Sequence, residues 1–127
     1  MAFEIVQTDK VSPPMGPYSL GAKTDSLVFT AGMLPTDPTT GKVVPGGIKD
    51  QARQTFENIR AVLESAGSSL DKVIKLTVFL RSMDDLAAVG EVRRELWSDP
   101  HPLSTTVAIS DLAMADALIE VEAVAAL

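Results

Sequence analysis

The chain contains no cysteine. Disulfides, thiolate metal sites and a cysteine nucleophile are thereby excluded, and a reducing, cytoplasmic location is the expectation. Only one histidine is present, His101, set between two prolines. A serine–histidine–carboxylate triad therefore has one possible base, and a histidine in such a loop reads first as structural or solvated. No His, Cys and Asp cluster has metal-ligand spacing. Gly41, Gly46 and Gly47 are not followed by Gly-Lys-Ser/Thr, so no phosphate loop is written here. No apolar run approaches the length of a membrane span. Residues 1–15 hold Glu4, Asp9 and two prolines and do not read as a signal peptide. Basic charge is scarce as well: 11 basic against 17 acidic residues give a formal net charge of −6, with one Trp and one Tyr. That balance lacks the basic, aromatic footprint of a nucleic-acid binder. Arg93-Arg94 is the single adjacent basic pair and reads as a solvated helix face.

What remains is a chain of 127 residues, 46% hydrophobic, which fits one domain over 1–127 with a real core. Ile48, Ala52, Phe56, Ile59, Leu63 and Ala66 recur at the spacing of an amphipathic helix, and Gly67 suits the left-handed residue that ends one. Val73–Leu80 reads as a buried strand, with Ile74, Leu76, Val78 and Leu80 facing the core and Lys75 and Thr77 opposite. Phe3–Gln7, Ser19–Lys23 and Leu27–Ala31 read as three shorter strands. Gly32 interrupts the last of them, where backbone comes close to another group. Ser82–Asp85 resembles a cap for a second helix, whose apolar face is Leu86, Val89, Val92, Leu96 and Trp97. Gly90 inside that helix points to packing that demands a small residue. Thr105–Ile109 and an alternating Ala117–Ala125 complete the string β-β-β-α-β-α-β-β.

Two helices of this size cover one face of a six-stranded sheet. The other face mixes Leu118 and Val124 with Glu120 and Glu122, so it is only half polar and implies a second subunit. Glu120 and Glu122 share that face. Neighbouring carboxylates there could raise one pKa for acid–base work, or could be held by cations of another subunit.

Seven stretches carry a family resemblance: Gly16-Pro-Tyr-Ser19, Thr30-Ala-Gly-Met-Leu-Pro35, Asp37-Pro-Thr-Thr-Gly41, Gln51–Ile59, Ala66–Val73, Thr77-Val-Phe-Leu80 and Glu120-Val-Glu-Ala123. In this order and spacing the chain resembles the RidA/YjgF family of reactive-intermediate deaminases, also described as endoribonuclease L-PSP-like, over nearly its whole length. The resemblance implies an α+β, chorismate-mutase-like fold, a homotrimer with small-molecule clefts between subunits, and no metal or organic cofactor. It implies hydrolysis of imines and enamines to keto acids and ammonia.

The matched site residues are Tyr18, Gly32 and Glu120, with Glu120 placing water or moving protons. The family serine before the glycine falls at Ala31, and the asparagine of the second helix falls at Gly90. The arginine of the Pro-x-Arg-Ser/Thr motif falls at Ser104, followed by Thr105 and Thr106. The chain thus reads as a divergent, arginine-less member, with a ligand that is less anionic than a 2-imino acid or differently held. Three functions are carried forward: a cofactor-free hydrolase, a trimer that binds a small metabolite without chemistry, and a ribonuclease or translation inhibitor, a label some relatives carry. The acidic charge argues against the third.

Overall fold

The computed structural model describes residues 2–127. Eight elements follow in order: β1 (Glu4–Val6), β2 (Gly21–Lys23), β3 (Leu27–Thr30), α1 (Ile48–Ser65), β4 (Val73–Leu80), α2 (Leu86–Leu96), β5 (Leu103–Ala108) and β6 (Ile119–Ala126). They form one six-stranded sheet in the order β1-β2-β3-β6-β4-β5. β5 pairs parallel to β4; the other neighbours are antiparallel. The predicted α+β string and its two-helix layer are present.

The helix period is what buries α1. Ala52, Phe56, Ile59, Val62 and Leu63 are fully buried against β6 and β3, and burying a side chain such as Phe56 contributes about 2–3 kcal/mol. Gly67 takes φ +88° after the helix, and the Ser68 amide donates to the Leu63 carbonyl at 2.9 Å. That geometry satisfies a carbonyl the helix end would otherwise leave free. Phe56 meets Trp97 edge to face at 5.4 Å, and the Trp97 indole donates to the Leu70 carbonyl. The end of α2 is thereby fixed to α1 and to the turn before β4.

Several expectations need correction. The register between β4 and β6 shifts between Val73 and Lys75, so Val73 is buried and Ile74 is exposed. A bulge of this kind breaks the period of two on which the reading relied. Ser82 does cap, accepting from the Asp84 amide, but it caps a 3-10 turn (Met83–Asp85) one step ahead of α2. Leu86 is exposed, while Val89, Val92 and Trp97 are buried. A Cβ on Gly90 would meet only the Arg94 side chain, at 3.8 Å, so packing does not demand glycine there.

The face away from the helices is the half-apolar one. Cross-strand partners Ile5, Ala22, Phe29, Val124, Lys75 and Leu103 form one row across it. Paired residues project from the same face. Ile5, Phe29 and Leu103 are exposed, Leu103 at 64%.

Candidate functional site

The site is built where β3 ends beside β6. Beyond Thr30 the strand geometry is interrupted, and Met33 then pairs with Val121 as an isolated bridge. The Met33 amide donates to the Val121 carbonyl at 2.7 Å, and the Val121 amide returns a bond at 3.1 Å. Met33 and Val121 are both buried, so Gly32 and Glu120, one residue earlier on each segment, fall together on the open side. A Cβ on Gly32 would lie 2.6 Å from Glu120 Oε1 and 2.9 Å from its Cδ. Glycine is therefore required, and the close approach expected at Gly32 is an approach to the Glu120 carboxylate.

Glu120 is half-buried. Burial pushes its carboxyl above the usual range, and the charge of Glu122 on the same face adds to the shift. No Lys or Arg reaches salt-bridge distance of it among the described residues. An unpaired carboxylate with a raised pKa is suited to accept and return a proton.

Tyr18 stands at the rim. Its hydroxyl accepts from the Met15 amide at 3.2 Å, and its own amide donates to the Gly16 carbonyl, which folds the ring back over its loop. Tyr18, Ala31, Gly32 and Glu120 line one cleft of about 500 Å³, with Met15 and Ala113 among the other walls. A cleft of that volume suits a small molecule.

The remaining predicted residues lie elsewhere. Ser104 and Thr106 pair with Leu76 and Val78, on the helix side of the sheet, whereas Thr105 pairs with Thr77 on the open side. Thr106 and Gly90 line a groove of about 230 Å³ between α2 and β5, together with Arg93, Arg94 and His101. Glu120 pairs with Phe79 on the open face. Within one protomer Ser104 and Thr106 thus lie on the face of the sheet opposite Glu120, and only Thr105 shares its face.

Three supports escaped the sequence reading. Asn58, buried in α1, donates to the carbonyls of Leu34 and Thr36 at 2.9 and 3.0 Å. Gln51, seven residues earlier, donates to the Asp116 carbonyl and accepts from the Leu118 amide. Arg81 donates to the carbonyls of Ala117 and Met114 and to Asp111. These side chains fix the two segments that flank the cleft. For Gln51 and Asn58 the hint lay in polar residues on an otherwise apolar helix face.

The half-buried Glu120 carboxylate thus stands against bare backbone at the end of an α+β sheet, in a cleft of small-molecule size. The family described as endoribonuclease L-PSP matches residues 9–127. A RutC family protein of Pyrococcus horikoshii is 47% identical over 122 residues, covering 96% of each chain. A protein of Dermatophagoides farinae named 2-iminobutanoate/2-iminopropanoate deaminase is 32% identical, over 94% of this chain and 93% of its own. Among solved structures, Escherichia coli TdcF with bound serine superposes with a TM-score of 0.90 at 35% identity, covering 98% of each chain. The chain belongs to the endoribonuclease L-PSP family, which takes in the RidA/YjgF and RutC proteins its motifs resemble.

Proposed function

We propose that the protein is a cofactor-free hydrolase of small imines, with the Glu120 cleft as its reaction centre. The observation that carries this is the half-buried, unpaired Glu120 carboxylate, its pKa raised, lodged against Gly32. Water adds to the carbon of a protonated imine, and its proton passes to Glu120. The tetrahedral carbinolamine takes that proton back on nitrogen. The C–N bond then breaks to expel ammonia while Glu120 takes the hydroxyl proton, and transfer of that proton to the departing ammonia leaves a carbonyl compound, ammonium and the Glu120 carboxylate. No step needs an external oxidant or reductant, because a protonated imine is already electrophilic. A general base placed in this way contributes about 10²- to 10⁴-fold.

The site is completed by a neighbouring subunit in a homotrimer. The number three is what the family resemblance implies, and two features support association with a neighbouring subunit. β5 is an edge strand with exposed Leu103 and Val107 beside the half-apolar face, and an apolar edge of this kind calls for cover. The groove at Thr106 and the cleft at Glu120 also belong to opposite faces of one chain, so a ligand that touches both must lie between chains.

The test is a trapping assay. An amino-acid oxidase generates a 2-imino acid, semicarbazide captures it, and the protein competes. Suppression of the semicarbazone by the wild type, lost in Glu120→Gln, is expected. No suppression at micromolar protein, with a working positive control, would remove the hydrolase reading. A non-catalytic metabolite binder is the second reading, favoured by Ser104 at the position where the family motif has arginine. It predicts ligand binding with no turnover in either protein.

A further inference from the structure

We propose that Arg93, projecting from α2 and held by Ser104, is the residue that binds the carboxylate of the substrate. This rests on the hydrolase reading above and specifies its substrate class as an anionic imine.

Consider first what Arg93 touches. Its Nη1 donates to Ser104 Oγ at 2.6 Å. That hydroxyl uses one acceptor position and leaves most of the guanidinium's five donors free. Lys23, Lys49, Arg53, Arg60 and Arg81 each have a carboxylate partner, and Arg93 has none among the described residues. It is nonetheless half-buried, and burial alone lowers its pKa. A partly desolvated guanidinium without a counter-charge is unfavourable unless something anionic occupies its free edge.

The groove fits such an occupant. Arg93, Arg94 and His101 line it, and no carboxylate does. Gly90 and Arg93 are one helical turn apart, so they share a face of α2. Because Gly90 has no side chain and a Cβ there would find open space beyond Arg94, the way to Arg93 is unobstructed. Thr106, two residues along β5 from Ser104, offers a hydroxyl on the same side of the sheet. A planar carboxylate can take two parallel N–H bonds from the fork of Arg93. Ser104 then orients that fork and does not replace it. Of the two expectations drawn from Ser104, a less anionic ligand or one differently held, this groove favours the second.

Calorimetric titration of the whole protein with 2-oxobutanoate and with its methyl ester tests this. Both probes have the shape of a hydrolysis product, and only the first carries a carboxylate. The wild type is expected to prefer the acid by tenfold or more. Arg93→Gln should weaken acid binding about tenfold to a hundredfold and abolish the preference. The control Arg60→Gln, which removes a distant paired charge, should stay within about twofold. Arg93→Gln/Ser104→Arg, which returns a guanidinium to the groove from β5, should restore the preference. Unchanged acid binding in Arg93→Gln, no acid–ester preference in the wild type, or no binding of either probe would each overturn the proposal. The outcome is separable from the hydrolase reading. Acid binding that depends on Arg93, with no imine turnover, would sustain the anion site and sink the enzyme.

Discussion

A methyl group on Gly32 would collide with the Glu120 carboxylate, at 2.6 Å from Oε1. This contact couples the backbone of the segment after β3 to the one carboxylate of the cleft. Gly32→Ala is therefore expected to push Glu120 out of place. Activity in the trapping assay should fall by about tenfold or more, since catalysis depends on sub-ångström placement. Overpacking on this scale costs about 1–3 kcal/mol. Thermal unfolding measured beside the assay separates the two effects, and a fully active Gly32→Ala would detach Gly32 from the mechanism.

The pH dependence has a definite sign. Burial first, and Glu122 second, raise the Glu120 pKa in the folded state. A carboxyl with a raised folded pKa contributes stability below its unfolded pKa and loses it as pH rises through the folded value. Glu120→Gln should thus melt higher than the wild type near neutral pH, with the gain shrinking as pH falls into the carboxylate range. The acid limb of the activity profile should lie above the usual carboxylate pKa, and Glu122→Gln should move it down. A limb that stays in place in Glu122→Gln would remove the Glu122 contribution.

Asn58 is a stability prediction with a functional side effect. Asn58→Ala strips hydrogen bonds from the carbonyls of Leu34 and Thr36 inside the protein. Buried carbonyls left unpaired cost about 1–3 kcal/mol each. Chemical denaturation should show a loss of about 2–4 kcal/mol, and the Leu34 wall of the cleft should loosen with it. A loss below about 0.5 kcal/mol would mean that water replaces the amide.

Arg81 holds the loop that brings Ala113 to the cleft. Its bridge to Asp111 is largely exposed on the acid side, at 80%, so it contributes little by itself. The two carbonyl bonds matter more. Arg81→Met should reduce activity more than Asp111→Asn does, a ranking the trapping assay reads directly. Equal effects would assign the role to the ion pair.

Much of this fold was legible because burial imposes a period. Helix α1 and strand β4 sit where the spacing of Phe56, Ile59 and Leu63 and the apolar run Val73–Leu80 place them. Ile74 went wrong because a bulge is a pairing event between β4 and β6, and pairing is not local. Gln51 and Asn58 were visible as residues but not as clamps. Their partners lie 65 and 24 residues away along the chain. Gly32 beside Glu120 was half legible: the glycine signalled a close approach, while its partner came from the bridge between Met33 and Val121. Arg93 was read first as a solvated face and only secondarily, with Arg94 and Arg81, as a cation that could reach the cleft, because a sequence cannot tell which side of α2 meets β5.

One consequence follows from Ser104 and Glu120 projecting from opposite faces of the same sheet. On the proposed reading, no chain owns a whole catalytic centre, and each lends half to a neighbour. Two inactive proteins, one altered at Arg93 and one at Glu120, should therefore yield a working mixture after dissociation and reassembly, because some junctions receive both intact halves. Dilution below the assembly threshold should extinguish turnover in the wild type without unfolding its protomers. On that reading, competence belongs to the assembled chains and to no single one of them.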